Sequence, residues 1–385
     1  MKIFRTLSTR RLLTLIAVVI AVVVAGTIAV AARGGSGATP PPKPLADAIH
    51  DALSVSEPAG ITARIHFTNK LFPSGALTGQ AGSALMSSAD GRLWMNANGG
   101  RLELQSDAGD AQVTWNDQKV TVYDASSNTA YTFDLPQSSS KTEKGTSAVP
   151  TVEEITKFLT ELGKNWTVSG ANPSNTGGQE SYTVKVSPSH DGGLLGSAQL
   201  AFDAANGVPL KVAIYAQGAS SPVLALEATK MSFGSVPDSD TQVAPPAGAK
   251  VVNLGSAGAT GGSDKSSPPV TGLAAVTAAA PFTVVAPDTL VGLPRQDVRL
   301  VGGKTVIAVY GQGLGAVVVV ERKPDASAKP NQLDQLPAVS LDGATGHELA
   351  TQLGTVLSWD RGGVSYVLAG SVPTAAAEAA ARSLK

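Results

Sequence analysis

The sequence predicts an α+β protein, mainly antiparallel β, in which helix is the minority. Three observations lead there. Apolar side chains alternate with a period of two over many short runs, Gly (41) and Pro (24) punctuate those runs, and only 15% of residues are charged, too few for long solvated helices. At 385 residues the chain exceeds what one compact core usually serves, so two folded units joined by a linker are expected.

The order of elements begins with a basic tail, residues 1–11, carrying Lys2, Arg5, Arg10 and Arg11. Residues 12–32 (LLTLIAVVIAVVVAGTIAVAA) are free of charge and, at about twenty residues, long enough to cross a hydrocarbon core of roughly 30 Å. Only Arg33 and Lys43 follow closely, so the excess of positive charge before the run places the N-terminus in the cytoplasm and the rest of the chain outside the cytoplasmic membrane. Two other readings stay open. Ala29-Val30-Ala31 has the small-x-small form of a signal-peptidase site, and residues 9–13 (TRRLL) resemble a twin-arginine export signal. The run is longer than the roughly 7–15 apolar residues of a cleaved signal, which favours the anchor. Residues 33–44 mix flexible Gly with extended Pro and form a spacer.

The first folded unit is expected over residues 45–236. Leu45, Ile49 and Leu53 make an apolar stripe at helical spacing behind Pro44. From Ile61 the period switches to two, with Ile61, Ala63, Ile65 and Phe67 set against Thr62, Arg64, His66 and Thr68. The same texture returns at 92–96, 100–105, 112–116, 119–124 and 130–135. Turn signals at Asp90-Gly91, Asn98-Gly99-Gly100 and Asn116-Asp117 join these runs into a meander. A helix interrupts at 151–163: Thr151 can cap it, Glu153 and Glu154 suit its positive end, Gly163 can stop it, and Ile155, Phe158, Leu159 and Leu162 share a face. Strands resume at 166–169, 180–186, 198–203, 210–215 and 223–233, and a curved sheet packed on helices is the simplest assembly.

Residues 237–281 are rich in Ser, Gly, Pro and Ala and poor in large apolar residues, and are expected as the interdomain linker. The smaller second unit, residues 282–385, reads as strands at 297–301, 305–310, 316–321, 356–359 and 364–368. Glycine turns fall at 302–303, 311–315 and 362–363, and an Ala-rich helix closes the chain from about 374 to 384.

Chemistry is scarce. Lys plus Arg (29) balance Asp plus Glu (30), so no basic field gathers nucleic acid. The absence of cysteine removes disulfides, thiolate metal sites, thiol nucleophiles and any lipid-modified N-terminal cysteine together. Gly302-Gly303-Lys304-Thr305 imitates the end of a phosphate loop, but Val298 stands where its first glycine belongs and a β-branched run follows the lysine. Gly311-Gln312-Gly313-Leu314-Gly315 imitates a dinucleotide fingerprint with the wrong spacing and reads better as a hairpin. His50, His66, His190 and His347 lie in unrelated segments with no partner at ligand spacing, and no G-x-S-x-G elbow occurs. No catalytic residue, metal ligand or cofactor is expected.

Two stretches resemble known bacterial families. Residues 199–215 (QLAFDAANGVPLKVAIY), centred on Asp203, Gly207, Pro209 and Leu210, are similar to the strand, Gly-Pro turn and returning strand of the LolA-like lipoprotein-carrier superfamily. Residues 307–321 (IAVYGQGLGAVVVVE), with 366–373 and the Ala-rich end, resemble the C-terminal domain of RseB-type (MucB-like) envelope regulators. The resemblance implies a strongly curved, unclosed sheet wrapped over helices, with an apolar cavity for lipid or lipoprotein acyl chains. Strand alternation and helix face then offer Ile65, Phe67, Met95, Leu104, Trp115, Val122, Phe133 and Phe158 as lining residues, though each taken alone reads more readily as core. It also implies a second reading, a regulator whose C-terminal domain docks a membrane-bound protein such as an anti-sigma factor, with Tyr310 and Leu314 as interface candidates. The long linker and the anchor depart from a soluble carrier.

Overall fold

A computed structural model describes residues 37–71, 84–135, 149–189, 193–256, 270–324, 333 and 336–385. The expected anchor, residues 12–32, lies outside them. No helix among the described residues is long and apolar enough to cross a membrane.

The first unit comprises α1 (Leu45–Ser54), β1 (Gly60–Asn69), β2 (Ala89–Asn96), β3 (Gly99–Ser106), β4 (Gly109–Trp115), β5 (Lys119–Asp124) and β6 (Thr129–Asp134), then α2 (Val152–Leu162). It continues with β7 (Trp166–Val168), β8 (Asn172–Thr176), β9 (Gln179–Pro188), β10 (Leu195–Asp203), β11 (Pro209–Ala216), β12 (Leu224–Phe233), α3 (Asp238–Thr241) and β13 (Lys250–Ser256). The thirteen strands form one sheet in the order β13-β6-β5-β4-β3-β2-β1-β12-β11-β10-β9-β7, with β8 also paired to β9. The terminal strands of this order do not pair with each other, so the sheet is unclosed. It curls strongly: the β8–β9 turn folds back on β12, where Gly177 O accepts from the Met231 N–H at 3.0 Å and Gln179 Nε2 donates to Met231 O at 3.0 Å.

Local chemistry explains several of these elements. Thr151 and Glu154 close a reciprocal capping box on α2, the Glu154 N–H donating to Thr151 Oγ1 and the Thr151 N–H to Glu154 Oε2. In the β10–β11 turn, Asp203 Oδ1 accepts from the N–H groups of Ala205 and Asn206, and Gly207 adopts φ +70°. A side chain at Gly207 would also meet Ala52 O of α1 at 2.6 Å, so glycine there lets the turn seat on the helix. Ala48 of α1 is buried with Tyr182, Val184 and Phe202 of β9 and β10.

Two expectations need correction. Asp90-Gly91 is not a turn but lies inside β2, in register with His66 and Ile65 of β1. Residues 237–281 are not wholly linker. Asp238 accepts from Asn96 and Asn98, Gln112 Nε2 donates to Val243 O, and β13 adds in parallel to β6. Backbone pairing and polar contacts order the part of this stretch up to β13, where apolar burial does not, for Val251 and Leu254 of β13 remain 64% and 50% exposed.

The second unit holds β14 (Val270–Thr271), α4 (Leu273–Ala279), β15 (Thr289–Leu290), β16 (Leu293–Val301), β17 (Thr305–Tyr310), β18 (Val317–Arg322), β19 (Ala338–Ser340), β20 (Thr345–Thr351), β21 (Gly354–Arg361), β22 (Val364–Gly370) and α5 (Thr374–Ser383). Its sheet runs β14-β16-β17-β18-β22-β21-β20-β19, with β15 on β16. Ala377, Ala380 and Ala381 of α5 and Val276 of α4 join its buried core, so the second unit begins within the expected linker. Arg361 donates to Ala381 O at 3.0 Å and Leu384 O at 2.7 Å, satisfying carbonyls at the end of α5. The two units meet where the Leu194 N–H donates to Ser371 and Gln352 Nε2 donates to Lys70 O at 2.9 Å.

Candidate functional site

The first sheet carries its apolar side chains on one face in cross-strand rows. One row runs Phe233, Ile61, Met95, Gly100, Trp115, Val120, Phe133 across seven strands from β12 to β6. The next runs Met231, Ala63, Leu93, Leu102, Val113, Val122, Tyr131. Deeper still lie Ile65, Leu104 and Phe67. These last three are closed into the core at 3%, 1% and 2% exposure, whereas Met95, Trp115, Val122 and Phe133 are only half-buried. The face is therefore sealed at one end and open along the first row.

Gly100 shapes that open row. A Cβ there would stand 2.2 Å from the Trp115 ring, so the indole lies flat against bare backbone and fills the gap that a side chain would take. Phe158, expected on the same surface, sits half-buried on α2 and belongs to neither buried cluster of the first unit. Leu93, Leu226, Met231 and Phe233 belong to the face and were not singled out from sequence. Strand alternation assigns a residue to a face, but only the register places β12 beside β1 and brings Met231 opposite Ala63.

A depression of about 40 Å³ opens beside the inner rows, lined by Ile65, Leu93, Leu210, Val212, Leu226 and Met231 among others. That is room for a few waters. Ligand pockets measure roughly 300–1,000 Å³, so this depression by itself, among the described residues, is smaller than an acyl-chain site.

The corresponding face of the second unit is closed and holds buried polar groups. Glu321 is fully buried; its Oε2 accepts from the Val285 N–H at 3.0 Å, and burial pushes its carboxyl up to about 7. Tyr366, opposite Glu321 in register, stacks on Trp359 at 5.0 Å, and burial with Glu321 nearby pushes its phenol up to about 12. Tyr310, an interface candidate from sequence, is likewise fully buried, with its phenol pushed up to about 12 by burial. As folded it has no surface to offer a partner. Leu314 lies in the 3-10 turn Gly313–Gly315 between β17 and β18, and its side chain is outside the described residues.

The opposite face of the second sheet is different. Ile307, Val309, Val318, Val320, Val356 and Val367 stand side by side on it, half-buried and outside the buried cluster.

The histidines are held locally: His50 Nδ1 bonds Pro150 O at 2.8 Å, His66 bonds Asp90 and Thr68, His347 bonds Leu336 O, and His190 lies outside the described residues. Among the described residues no group of His, Asp and Glu is placed to hold a metal ion.

No family model matches the chain. No curated protein matches it either. Among solved structures the chain is similar to MucB in the complex of Pseudomonas aeruginosa MucA and MucB, at 14% identity and a TM-score of 0.43 over 88% of this chain and 96% of that one. A second structure, MucB with MucA(peri), gives 14% identity and a TM-score of 0.41 over 88% of this chain and 94% of the other. A LolA-superfamily protein from Nitrosomonas europaea gives 8% identity and a TM-score of 0.22 over 52% of this chain and 98% of that one.

Proposed function

We propose that the chain is an extracytoplasmic, non-catalytic binding protein held at the cytoplasmic membrane by residues 12–32, whose first unit takes acyl chains of a lipid or lipoprotein on the helix-covered face of its sheet. The observation that carries this reading is the half-open row of Met95, Trp115, Val120 and Phe133, free of charge and packed against the core through Met95, Trp115 and Val120. Burial contributes roughly 0.8 kcal/mol per CH₂, so a chain of about sixteen carbons gains on the order of 12 kcal/mol before ordering costs, with no charged site residue required. Because the adjacent depression is only about 40 Å³, the acyl chain is taken along the row as the rim parts, not in a standing tunnel.

The full chain in vesicles containing a lipid with a photoreactive acyl tail tests this. Adducts are expected on peptides spanning Met95, Trp115 and Phe133, and Trp115→Glu should remove most of them while the protein still melts cooperatively. Adducts confined to residues 12–32 would sink the reading. They would favour instead a regulator whose second unit docks a membrane-bound protein, a role supported by the half-exposed aliphatic rows of Ile307, Val318 and Val367.

A further inference from the structure

The ends of the two sheets are finished differently. β7, β14 and β19 each close a sheet with a strand of only two or three residues, and short edge strands keep a sheet from pairing with another chain. β13 ends the first sheet with seven residues, Lys250–Ser256, and contains no proline. It also carries the two most exposed large apolar side chains among the described residues, Val251 at 64% and Leu254 at 50%. Its register on β6 is regular from Lys250 to Asn253, and the Lys250 N–H donates inward to Asn128 O at 2.9 Å. Backbone groups of alternate residues point to opposite sides of a strand, so those of Val251 and Asn253 point away from β6. Among the described residues no strand takes them. A row of free donors and acceptors of this kind is completed by another strand.

We propose that this strand is β13 of a second copy of the chain, the two running antiparallel about a two-fold axis through Asn253. The outward-facing groups of Asn253 then exchange both backbone hydrogen bonds with the partner's Asn253. Directly opposed residues share a face, so Val252 meets the partner's Leu254 and Leu254 meets the partner's Val252. This brings the half-exposed Leu254 under cover on the apolar face, where Val252 stands in register with Tyr131. Val251 lies opposite the partner's Gly255, which has no side chain to crowd it. The Asn253 amide has both donor and acceptor and can pair with its own copy. Lys250, the single charge of the strand, stands about 20 Å from the partner's Lys250 at roughly 3.3 Å per residue, too far to repel it strongly. An axis through Val252 would instead oppose groups that already face β6. An unrelated extended peptide would complete the backbone, but the match of β13 to itself would then serve nothing.

The chain has no cysteine, so Asn253→Cys leaves one thiol per copy, at the axis. Opposed residues that exchange both hydrogen bonds stand about 5.5 Å apart at Cα, within the span of a disulfide. The full chain in detergent micelles is oxidised, and the dimer is read on a non-reducing gel. Asn253→Cys should cross-link at least fivefold faster than Val251→Cys on the same strand, or than Lys304→Cys in the exposed β16–β17 turn. Adding Val251→Pro removes an outward donor without touching the β6 pairing, and should slow the Asn253→Cys reaction to the control rate with melting unchanged. Leu254→Lys serves the same end without constraining the backbone, by setting a charge against the partner's Val252. Equal rates at all three cysteine positions would mark collision within the micelle and overturn the proposal. So would a fast reaction at Asn253→Cys that neither Val251→Pro nor Leu254→Lys slows. Slow hydrogen exchange at the Val251 and Asn253 amides of the unaltered chain, with no cross-linking of Asn253→Cys, would give the edge to another occupant and overturn it as well.

Discussion

The two sheets use their apolar faces to different ends. In the second, Val306, Ala308, Val319, Leu357 and Leu368 are fully closed, and even the carboxyl of Glu321 is shut in. In the first, Ile65, Phe67 and Leu104 are nearly as closed while the row through Met95, Trp115 and Phe133 stays half-open. The covering helices account for this. α5 presents Ala377, Ala380 and Ala381 to the second core, and small side chains let a helix approach a sheet closely. α1 instead packs over β9 and β10, and on the β2–β6 end of the first face the described cover is the single 3-10 turn Ala84–Met86, whose Ala84 is buried there. Sealing thus divides the molecule into a unit that stores stability and one with apolar surface to lend.

The largest test of that division compares two truncations. Leu357→Ala should cost the second unit roughly 3–5 kcal/mol, because a sealed site leaves a cavity. Met95→Ala should cost the first about 1 kcal/mol, because its side chain is only partly removed from water. Urea unfolding with hydrogen exchange resolved by segment reads both, and equal losses would break the comparison.

A second test exploits the shut-in carboxyl. The ordinary value of a Glu is 4.5, and burial raises Glu321 to about 7. Below the lower value the group is protonated in both states. Between the two the unfolded chain ionises while the folded one keeps its proton, so stability falls as pH rises, by on the order of 3 kcal/mol, and then levels off. Glu321→Gln should flatten that fall and stabilise the second unit above neutrality, with Glu348, also raised by burial, leaving a residual slope. An unchanged slope in thermal melts followed by Trp359 fluorescence would show that Glu321 is better solvated than its burial indicates.

The smallest effect sharpens the open side. Gly100→Ala must displace the Trp115 ring or the backbone beneath it, at a cost of about 2 kcal/mol. Near-ultraviolet circular dichroism should show the indole loosened. An unperturbed Trp115 signal would mean that the rim is softer than its geometry suggests.

Much of the fold was legible where the sequence states it locally. β5 and β17 fall where period-two alternation sets them, and the capping box of α2 is written in Thr151 and Glu154. β8 escaped because Asn-Pro-Ser-Asn-Thr has no apolar alternation; it holds by pairing with β9, and Pro173 is tolerable beside a free edge. β13 escaped for the same reason, its order coming from the β6 backbone and not from burial. At the candidate site, alternation found Trp115 and Val122 but also Ile65 and Leu104, since face is readable from one strand and depth is not. Tyr310 shows the limit from the other side: a turn-flanking tyrosine reads as surface, and packing has closed over it.

The contact between the units carries a kinetic consequence. Leu194 to Ser371 and Gln352 to Lys70 are polar contacts that join the two units among the described residues. Because the two units belong to one chain, docking is intramolecular, and contacts weaker than those between free proteins suffice for it. Parting at these contacts would leave both cores intact, since neither contact draws on a buried cluster. Anything that competes for Ser371 or Gln352 can hold the junction open, and cutting the chain between the units would turn a reversible opening into permanent separation.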